Sequence, residues 1–127
     1  MKVCAATLKT TVLIIIKNAQ NSVQNMMLGA FSDQQLIGLC GLISFEHHQV
    51  KLVQMYVKSS HQGQSVGKKL LNMAKQCLKQ LDADTLCLGV YPHNTSALSL
   101  YEKQGFTQVG HGNGEIMMRY HRPTSPI

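Results

Sequence analysis

The chain has 127 residues, which is enough for one domain, and 44% of them are hydrophobic against 14% charged, so a disordered polymer is excluded. Lysine and arginine together number 12 against 6 for aspartate and glutamate, and the resulting net charge of +6 favours an anionic partner. The longest uninterrupted apolar run, Val12 to Ile16, is far shorter than the roughly 20 residues of a membrane-spanning helix.

Cysteine spacing and aromatic content bear on compartment and partners. Cys4, Cys40, Cys77 and Cys87 show no C-x-x-C pair and no zinc-ligand spacing, which predicts buried thiols in a reducing cytoplasm and no metal site. No small-x-small cleavage pattern follows the apolar run, so no secretory signal is predicted. With no tryptophan and few aromatic residues, basic charge alone does not predict nucleic-acid binding. We therefore predict a cytoplasmic protein that binds neither nucleic acid nor membrane.

The sequence predicts one structure for the C-terminal end of the chain but allows two for the N-terminal end. Proline and serine near the C-terminus predict a disordered tail at 123–127, which leaves residues 1–122 as a single domain. The first 25 residues support two interpretations. Leu8, Val12 and Ile15 lie at helical spacing, whereas the segment from Thr10 to Ile16, which is β-branched at every position except 13, favours a strand. Both alternatives stay open.

Three consecutive segments have the composition of β-strands, namely Met26 to Phe31, Leu36 to Phe45 and Val50 to Val57. Short polar breaks separate them, so two antiparallel hairpins are the simplest arrangement. The middle segment is almost wholly apolar, which predicts a strand covered on both faces by helices.

A long amphipathic helix is predicted next. Apolar residues recur at spacings of three and four from Val66 to Leu81, which corresponds to about four turns. A buried strand from Thr85 to Val90 follows, so strand, helix and strand form a βαβ unit with a parallel pair. The solvent face of the helix is predicted to carry Lys68, Lys69, Lys75, Lys79 and Gln80.

The last third of the chain reads as one short helix and two strands. Asn94 is a candidate N-cap, and Gly105 a candidate C-terminal cap of that helix. The strands Phe106 to Val109 and Glu115 to Tyr120 follow, and the glycine-rich stretch 110–114 between them is predicted to be a flexible turn.

The segment Gln62 to Lys68 joins a predicted strand to the long helix. A helix that begins there directs unpaired backbone N–H groups and the positive end of its dipole at the connecting turn. Glycines at 63 and 67 let the backbone approach a phosphate, and Lys68 adds positive charge. The alternative is an ordinary strand-to-helix turn without a ligand.

Two motifs together resemble those of the GNAT superfamily of acetyl-CoA-dependent N-acetyltransferases. The first is Gln62-x-x-Ser65-x-Gly67, where the family has [Gln/Arg]-x-x-Gly-x-[Gly/Ala]. The second matches the family's Asn-x-x-Ala-x-x-x-Tyr-x-x-x-Gly-Phe at each position, and its residues are Asn94, Ala97, Tyr101, Gly105 and Phe106. Two motifs in the family's order are more specific than either alone.

The resemblance implies an α/β (α+β) fold with a mixed, mostly antiparallel central sheet flanked by helices. The sheet is splayed between its two central parallel strands, and coenzyme A lies in the wedge. The family places a strand and two helices at the N-terminus, for which this chain has about 25 residues, so the helical part is expected to be abbreviated. The acceptor pocket is then open, completed by a second subunit in a homodimer, or missing.

The resemblance also implies site residues. It assigns cofactor binding to Met55, Val57, Gln62, Gly63, Gln64, Ser65, Val66, Gly67, Lys68 and Asn94. The amides of residues 64–68 would hold the pyrophosphate, and backbone groups of Met55 and Val57 would pair with the pantetheine arm. Tyr101 would be the general acid that returns a proton to the thiolate. Ser65 stands where the family has glycine, so weaker binding is expected.

No general base stands out. Glu46 and His48 are the candidates, each acting through water, and the alternative is that both merely solvate a hairpin turn. Lys51 occupies the position at which some relatives carry a catalytic glutamate. His93, next to the Asn94 cap, is a weaker candidate.

The predicted function is the transfer of an acetyl group from acetyl-CoA to a primary amine of a small molecule or peptide, by direct attack on the thioester. Acetyl-CoA is the co-substrate and no metal takes part. With only six acidic residues, a dense acidic pocket for polycations is not predicted. The alternative is a weakly catalytic or non-catalytic acyl-CoA-binding module that regulates a partner protein.

Overall fold

The computed structural model describes residues 10–20, 23–45, 48–61 and 65–123. The strands are β1 (Thr10–Gln20), β2 (Val23–Ser32), β3 (Gln35–Phe45), β4 (Gln49–Val57), β5 (Thr85–Val90), β6 (Thr107–Gly112) and β7 (Glu115–His121). The helices are α1 (Val66–Gln80) and α2 (Thr95–Lys103), and a single 3-10 turn covers Ser59–His61. The seven strands form one sheet in the order β1-β2-β3-β4-β5-β7-β6. The mixed, mostly antiparallel sheet that the sequence predicted is confirmed.

The choice left open at the N-terminus is resolved as a strand. β1 pairs antiparallel with β2 from Thr10 opposite Ser32 to Gln20 opposite Val23. The β-branched residues of β1 favour extended backbone, and β2 supplies the hydrogen-bonding partner that a strand needs. Only residues 21 and 22 lie between the two strands, so no helix can intervene. From Thr10 onward, the described residues contain no α-helix before α1, as expected for an abbreviated N-terminal helical part.

The sheet opens at its centre, between β4 and β5. β2, β3 and β4 pair antiparallel as predicted, and β4 pairs parallel with β5 from Gln49 opposite Thr85 to Lys51 opposite Cys87. Beyond that point β4 bulges at Gln54, whose φ is +57°, and it takes three steps where β3 takes two. The bulge turns β4 away from β5, so the two strands splay as expected.

One face of the sheet holds the core. Every second strand residue faces α1, for example Leu42 on β3, Leu86 on β5 and Met118 on β7, and each is fully buried. The buried stripe of α1 is Val66, Leu70, Leu71, Ala74, Cys77 and Leu78. The predicted amphipathic helix of about four turns is confirmed.

The opposite face of β3 is not covered as the sequence predicted. Leu36, Ile43 and Phe45 remain 43%, 38% and 40% exposed. α1 packs against the other face, and α2 lies beside α1, since the Lys75 ammonium of α1 donates to the Gln104 carbonyl at the end of α2. Within the described residues no helix is left for the second face. The expectation of helices on both sides was wrong.

Lys75 was predicted to face solvent, and the structure corrects this. Besides its bond to the Gln104 carbonyl, the ammonium lies 4.5 Å from the ring centroid of Tyr120 and 5.9 Å from that of Phe106. Partial burial lowers the pKa of Lys75. The Lys75 side chain therefore connects α1 to the end of α2.

The boundaries of α2 follow the sequence closely. Asn94 Oδ1 accepts a hydrogen bond from the Ala97 N–H at 3.2 Å, which caps the first turn. At the other end Gly105 has φ +94°, its N–H bonds the Glu102 carbonyl and the Phe106 N–H bonds that of Tyr101. These two bonds define a Schellman C-terminal cap.

The predicted flexible turn at 110–114 is much shorter in the structure. Gly110, His111 and Gly112 belong to β6, and only Asn113 and Gly114 form the turn. Their φ values of +53° and +79° match the two-residue turn that Asn-Gly favours in hairpins. The glycine content had obscured this signal.

Residues 124–127 of the predicted tail lie outside the described residues. Among the residues that are described, no helix has both the length and the apolar character needed to cross a bilayer.

Candidate active site

The turn before α1 has an unusual backbone at Ser65. Its φ of +65° and ψ of 17° lie in the left-handed region, and its hydroxyl makes no capping bond. Residues with a Cβ rarely adopt this conformation, whereas glycine does so freely. This explains why a glycine suits the position in the family pattern. The predicted cofactor ligands Gln62, Gly63 and Gln64 lie outside the described residues.

A cavity of about 450 Å³ opens at the N-terminus of α1, where the first-turn amides lie. Its lining includes Ser65, Val66, Gly67 and Lys68, together with Ser96 and Leu100 of α2. No acidic residue stands in the first turn of α1. A Cβ on Gly67 would meet Leu100 at 3.6 Å, an ordinary contact, so the lack of a side chain there widens the cavity rather than relieving a clash.

A second cavity of about 390 Å³ lies in the wedge between β4 and β5. Met55 and Val57 line it from β4, Gly89 and Val90 from β5, and α2 closes one end. Val57, Gly67 and Leu100 border both cavities. The two cavities are therefore parts of one groove that runs from the start of α1 into the open sheet.

Tyr101 lies in the wedge, where sequence analysis expected it. It is only 6% exposed, and its ring packs edge-on against Phe106 with centroids 5.7 Å apart. Burial raises the pKa of the Tyr101 phenol above its ordinary value of 10, and the nearby Cys40 adds to the rise. The phenol therefore holds its proton at neutral pH. Asn94 lines the same cavity while its side chain caps α2.

Glu115 is a wedge residue that sequence analysis missed. It begins β7 and lines the wedge cavity together with Tyr101. Its carboxylate lies against Gly89, since a Cβ on that glycine would be 2.8 Å from Oε1. Two features of the sequence could have identified Glu115. The Asn-Gly turn fixes the start of β7, and the neighbouring strand β5 contains a glycine.

Of the two base candidates named from the sequence, the structure describes only His48, and it does not bring His48 to the wedge. His48 precedes β4, at the end where β4 and β5 are still paired, and it is not part of the wedge lining. Its Nδ1 donates to the Asp82 carbonyl at 2.8 Å, which raises the pKa of His48. Glu46 lies outside the described residues, and His93 stacks on Tyr91 with ring centroids 5.8 Å apart.

Comparison with known proteins assigns the family. The model of the acetyltransferase (GNAT) family matches residues 8–106, and the chain belongs to that family. It is 31% identical over 98 residues to the spermidine N(1)-acetyltransferase of Thermoplasma acidophilum, covering 77% of this chain and 60% of the relative. It is 32% identical over 82 residues to the streptothricin acetyltransferase of Escherichia coli, covering 65% and 47%. The chain thus spans 60% or less of the length of these relatives.

Solved structures agree with the fold. The PaiA N-acetyltransferase from Thermoplasma acidophilum in complex with coenzyme A matches with a TM-score of 0.71 and 28% identity, over 76% of this chain and 60% of that one. A GNAT family acetyltransferase from Elizabethkingia anophelis with acetyl-CoA bound has a TM-score of 0.76 over 89% of this chain and 98% of that one. Its 16% identity supports the fold alone.

Proposed function

We propose that this protein is an N-acetyltransferase that transfers an acetyl group from acetyl-CoA to a primary amine of a small molecule or peptide. The observation that carries the proposal is the continuous groove from the N-terminus of α1 to Tyr101 and Glu115. The PaiA N-acetyltransferase, which was crystallised in complex with coenzyme A, supports it.

The groove suits coenzyme A in charge and shape. Amides at the start of α1 and the Lys68 ammonium favour a pyrophosphate, and the first turn contains no acid to repel it. The apolar walls from Met55 and Leu100 suit the pantetheine arm. The thioester then lies at the Tyr101 end of the groove.

The chemistry follows from two groups in the wedge. The amine nitrogen attacks the thioester carbonyl carbon, a C–N bond forms and the C–S bond breaks. Glu115 accepts the proton that the amine loses, and Tyr101 donates a proton to the departing sulfur. A buried phenol that stays protonated at neutral pH is suited to this second step.

The second candidate function is an acyl-CoA-binding module with little turnover. It is favoured by Ser65, whose Cβ stands beside the amides that would receive the pyrophosphate.

Buried thiols at Cys40, Cys77 and Cys87 fit the predicted reducing cytoplasm. Association of two copies stays a prediction, which sedimentation would test.

The cofactor is tested first, by calorimetric titration with acetyl-CoA. We expect saturable one-site binding that Gly67→Glu abolishes through bulk and charge. The matched control is Gly67→Ala, because a Cβ at this position makes only an ordinary contact. Absence of binding by the wild-type protein would refute both candidate functions.

Turnover separates the two functions. Release of free thiol from acetyl-CoA is measured with a panel of amines for the wild type, Tyr101→Phe and the control Tyr56→Phe, which alters an exposed tyrosine. For an acetyltransferase, loss of the general acid is expected to slow turnover by about 10²-fold or more while binding persists. Binding without amine-dependent release would favour the module.

A further inference from the structure

A separate cavity of about 610 Å³ lies on the face of the sheet opposite α1, next to the wedge. Its apolar walls are Ile43, Phe45, Val109 and Met117, and the two fully charged side chains in its lining are Lys51 and Arg119. No aspartate or glutamate is among the described residues that line it. The cavity therefore combines apolar walls with two cationic side chains.

Lys51 and Arg119 flank Cys87 in a single row across three strands. Lys51 is opposite Cys87 on β5, and Cys87 is opposite Arg119 on β7. Two strand spacings separate the cations by about 10 Å at their Cα atoms, with their side chains on the same face. An anion above Cys87 would be within reach of both.

The two cations lack an anionic partner in the described residues. The ion pair found there joins His48 and Asp82, neither of which lines this cavity. Cys87 is not an anion, because burial raises the pKa of its thiol in spite of the opposing effects of Arg119 and Lys51. Two like charges around a neutral thiol favour an external anion.

The cavity and the wedge are adjacent on this face. Cys87 and Gly89 are two residues apart on β5, which places them about 7 Å apart on the same side of the sheet. Glu115 lies over Gly89, so the same distance separates the proposed base from the space between the cations. An extended dipeptide spans about 7 Å from its amine to its carboxylate.

We infer that the acceptor is a short amine that also carries a carboxylate or phosphate, with its amine at Glu115 and its anionic group between Lys51 and Arg119. The inference rests on the proposed acetyl transfer and names its substrate class. A polyamine is disfavoured as the acceptor, because its second ammonium group would be repelled by Lys51 and Arg119.

The test uses acceptors that differ in charge but share a reactive amine. Dialanine, dialanine amide, an aminoalkyl phosphate of similar length and spermidine are compared by thiol release from acetyl-CoA. We expect kcat/KM for dialanine to exceed that of its amide and of spermidine by about tenfold or more. Comparison of dialanine with the aminoalkyl phosphate shows whether the site prefers a carboxylate or a phosphate. The acceptor with the higher kcat/KM identifies the preferred anion.

Variants locate the effect. Lys51→Gln and Arg119→Gln are each expected to reduce the preference for dialanine over its amide towards unity, through a fall in kcat/KM for dialanine. Both side chains are exposed, so folding is not at risk. The control is Lys79→Gln, an exposed lysine of α1 on the other face of the sheet, which leaves the preference unchanged.

Two failures are distinguishable. Acetyl-CoA binding without transfer to any acceptor would refute the proposed function, and the inference with it. Transfer that is equal for dialanine and its amide, or that favours spermidine, would leave the function standing and refute the anionic acceptor. A preference that survives both glutamine substitutions would refute the assigned location.

Discussion

The carboxylate of Glu115 rests directly on the backbone of Gly89, and it does so because residue 89 has no side chain. A Cβ at that position would lie 2.8 Å from Oε1 and 3.0 Å from Cδ of Glu115. The contact joins β5 to the first residue of β7 at the point where the sheet opens. Gly89 thus controls where the proposed general base lies.

Gly89→Ala is predicted to impair catalysis more than stability. The new methyl group displaces only the end of a flexible side chain, so the fold tolerates it, but Glu115 moves from the wedge. We expect kcat/KM to fall about tenfold or more, with acetyl-CoA affinity retained. Steady-state kinetics and calorimetry measure the two effects.

Glu115→Gln provides the comparison for that variant. If both changes act through the same carboxylate, the double variant is no slower than Glu115→Gln alone. Additive losses would mean that Gly89 acts by another route. Wild-type activity in Glu115→Gln would remove this residue from the mechanism.

Ser65→Gly is predicted to stabilise the protein and to strengthen acetyl-CoA binding. The left-handed conformation costs a residue with a Cβ about 1–2 kcal/mol, and Ser65→Gly removes this strain. Glycine has more conformational freedom in the unfolded chain, which offsets about 0.5–1 kcal/mol of that gain in stability. The hydroxyl makes no capping bond that the change would remove. The midpoint temperature of thermal unfolding is expected to rise by a few degrees. Ser65→Ala, which keeps the Cβ, should show no such gain.

Lys75→Ala is predicted to destabilise the fold by about 1–2 kcal/mol. The change removes the bond to the Gln104 carbonyl and the contact with the Tyr120 ring. Denaturant unfolding measures the loss. Lys79→Ala, at an exposed position one turn further along α1, is expected to stay within about 0.5 kcal/mol of wild type. Equal effects of the two substitutions would contradict the role assigned to Lys75.

His48 is predicted to make stability depend on pH. Its hydrogen bond to the Asp82 carbonyl raises its folded-state pKa above the ordinary 6.5. The stabilising effect is therefore fully present below pH 6.5 and disappears as the pH rises through the higher folded-state value. We expect the difference in melting temperature between wild type and His48→Gln to be larger at pH 5 than at pH 8.

Asp82→Asn separates the contributions to this effect. The main partner of His48 is the backbone carbonyl of residue 82, which the substitution leaves in place. Most of the pH dependence should therefore persist. Its complete loss would assign the effect to the carboxylate, whose Oδ2 is 3.8 Å from Nδ1.

Features that depend on neighbours in the sequence could be predicted. The apolar spacing from Val66 to Leu81 depends only on the helical period, and α1 has the expected length. The caps of α2 at Asn94 and Gly105 use bonds to residues within the same helix, and both are present. Tyr101, one turn before that C-terminal cap, lies in the wedge as the family motif implied.

Features that depend on strand register could not. The choice of strand for Thr10–Gln20 needed β2 as a partner, because its residues also allowed a helical face. The positions of Glu115 over Gly89, of Lys51 and Arg119 around Cys87, and of Lys75 under Tyr120 join residues far apart in the chain. A shift of one residue in any strand would send each side chain to the other face.

The sequence by itself thus determined the two helices, the strand segments from Met26 onward and the motifs of the acetyltransferase family, since these are written in local spacing. The tertiary structure alone decided which face of the sheet stays open, which carboxylate enters the wedge and which cations lie beside it. Those outcomes follow from hydrogen-bond register between distant strands, and composition carries no record of register.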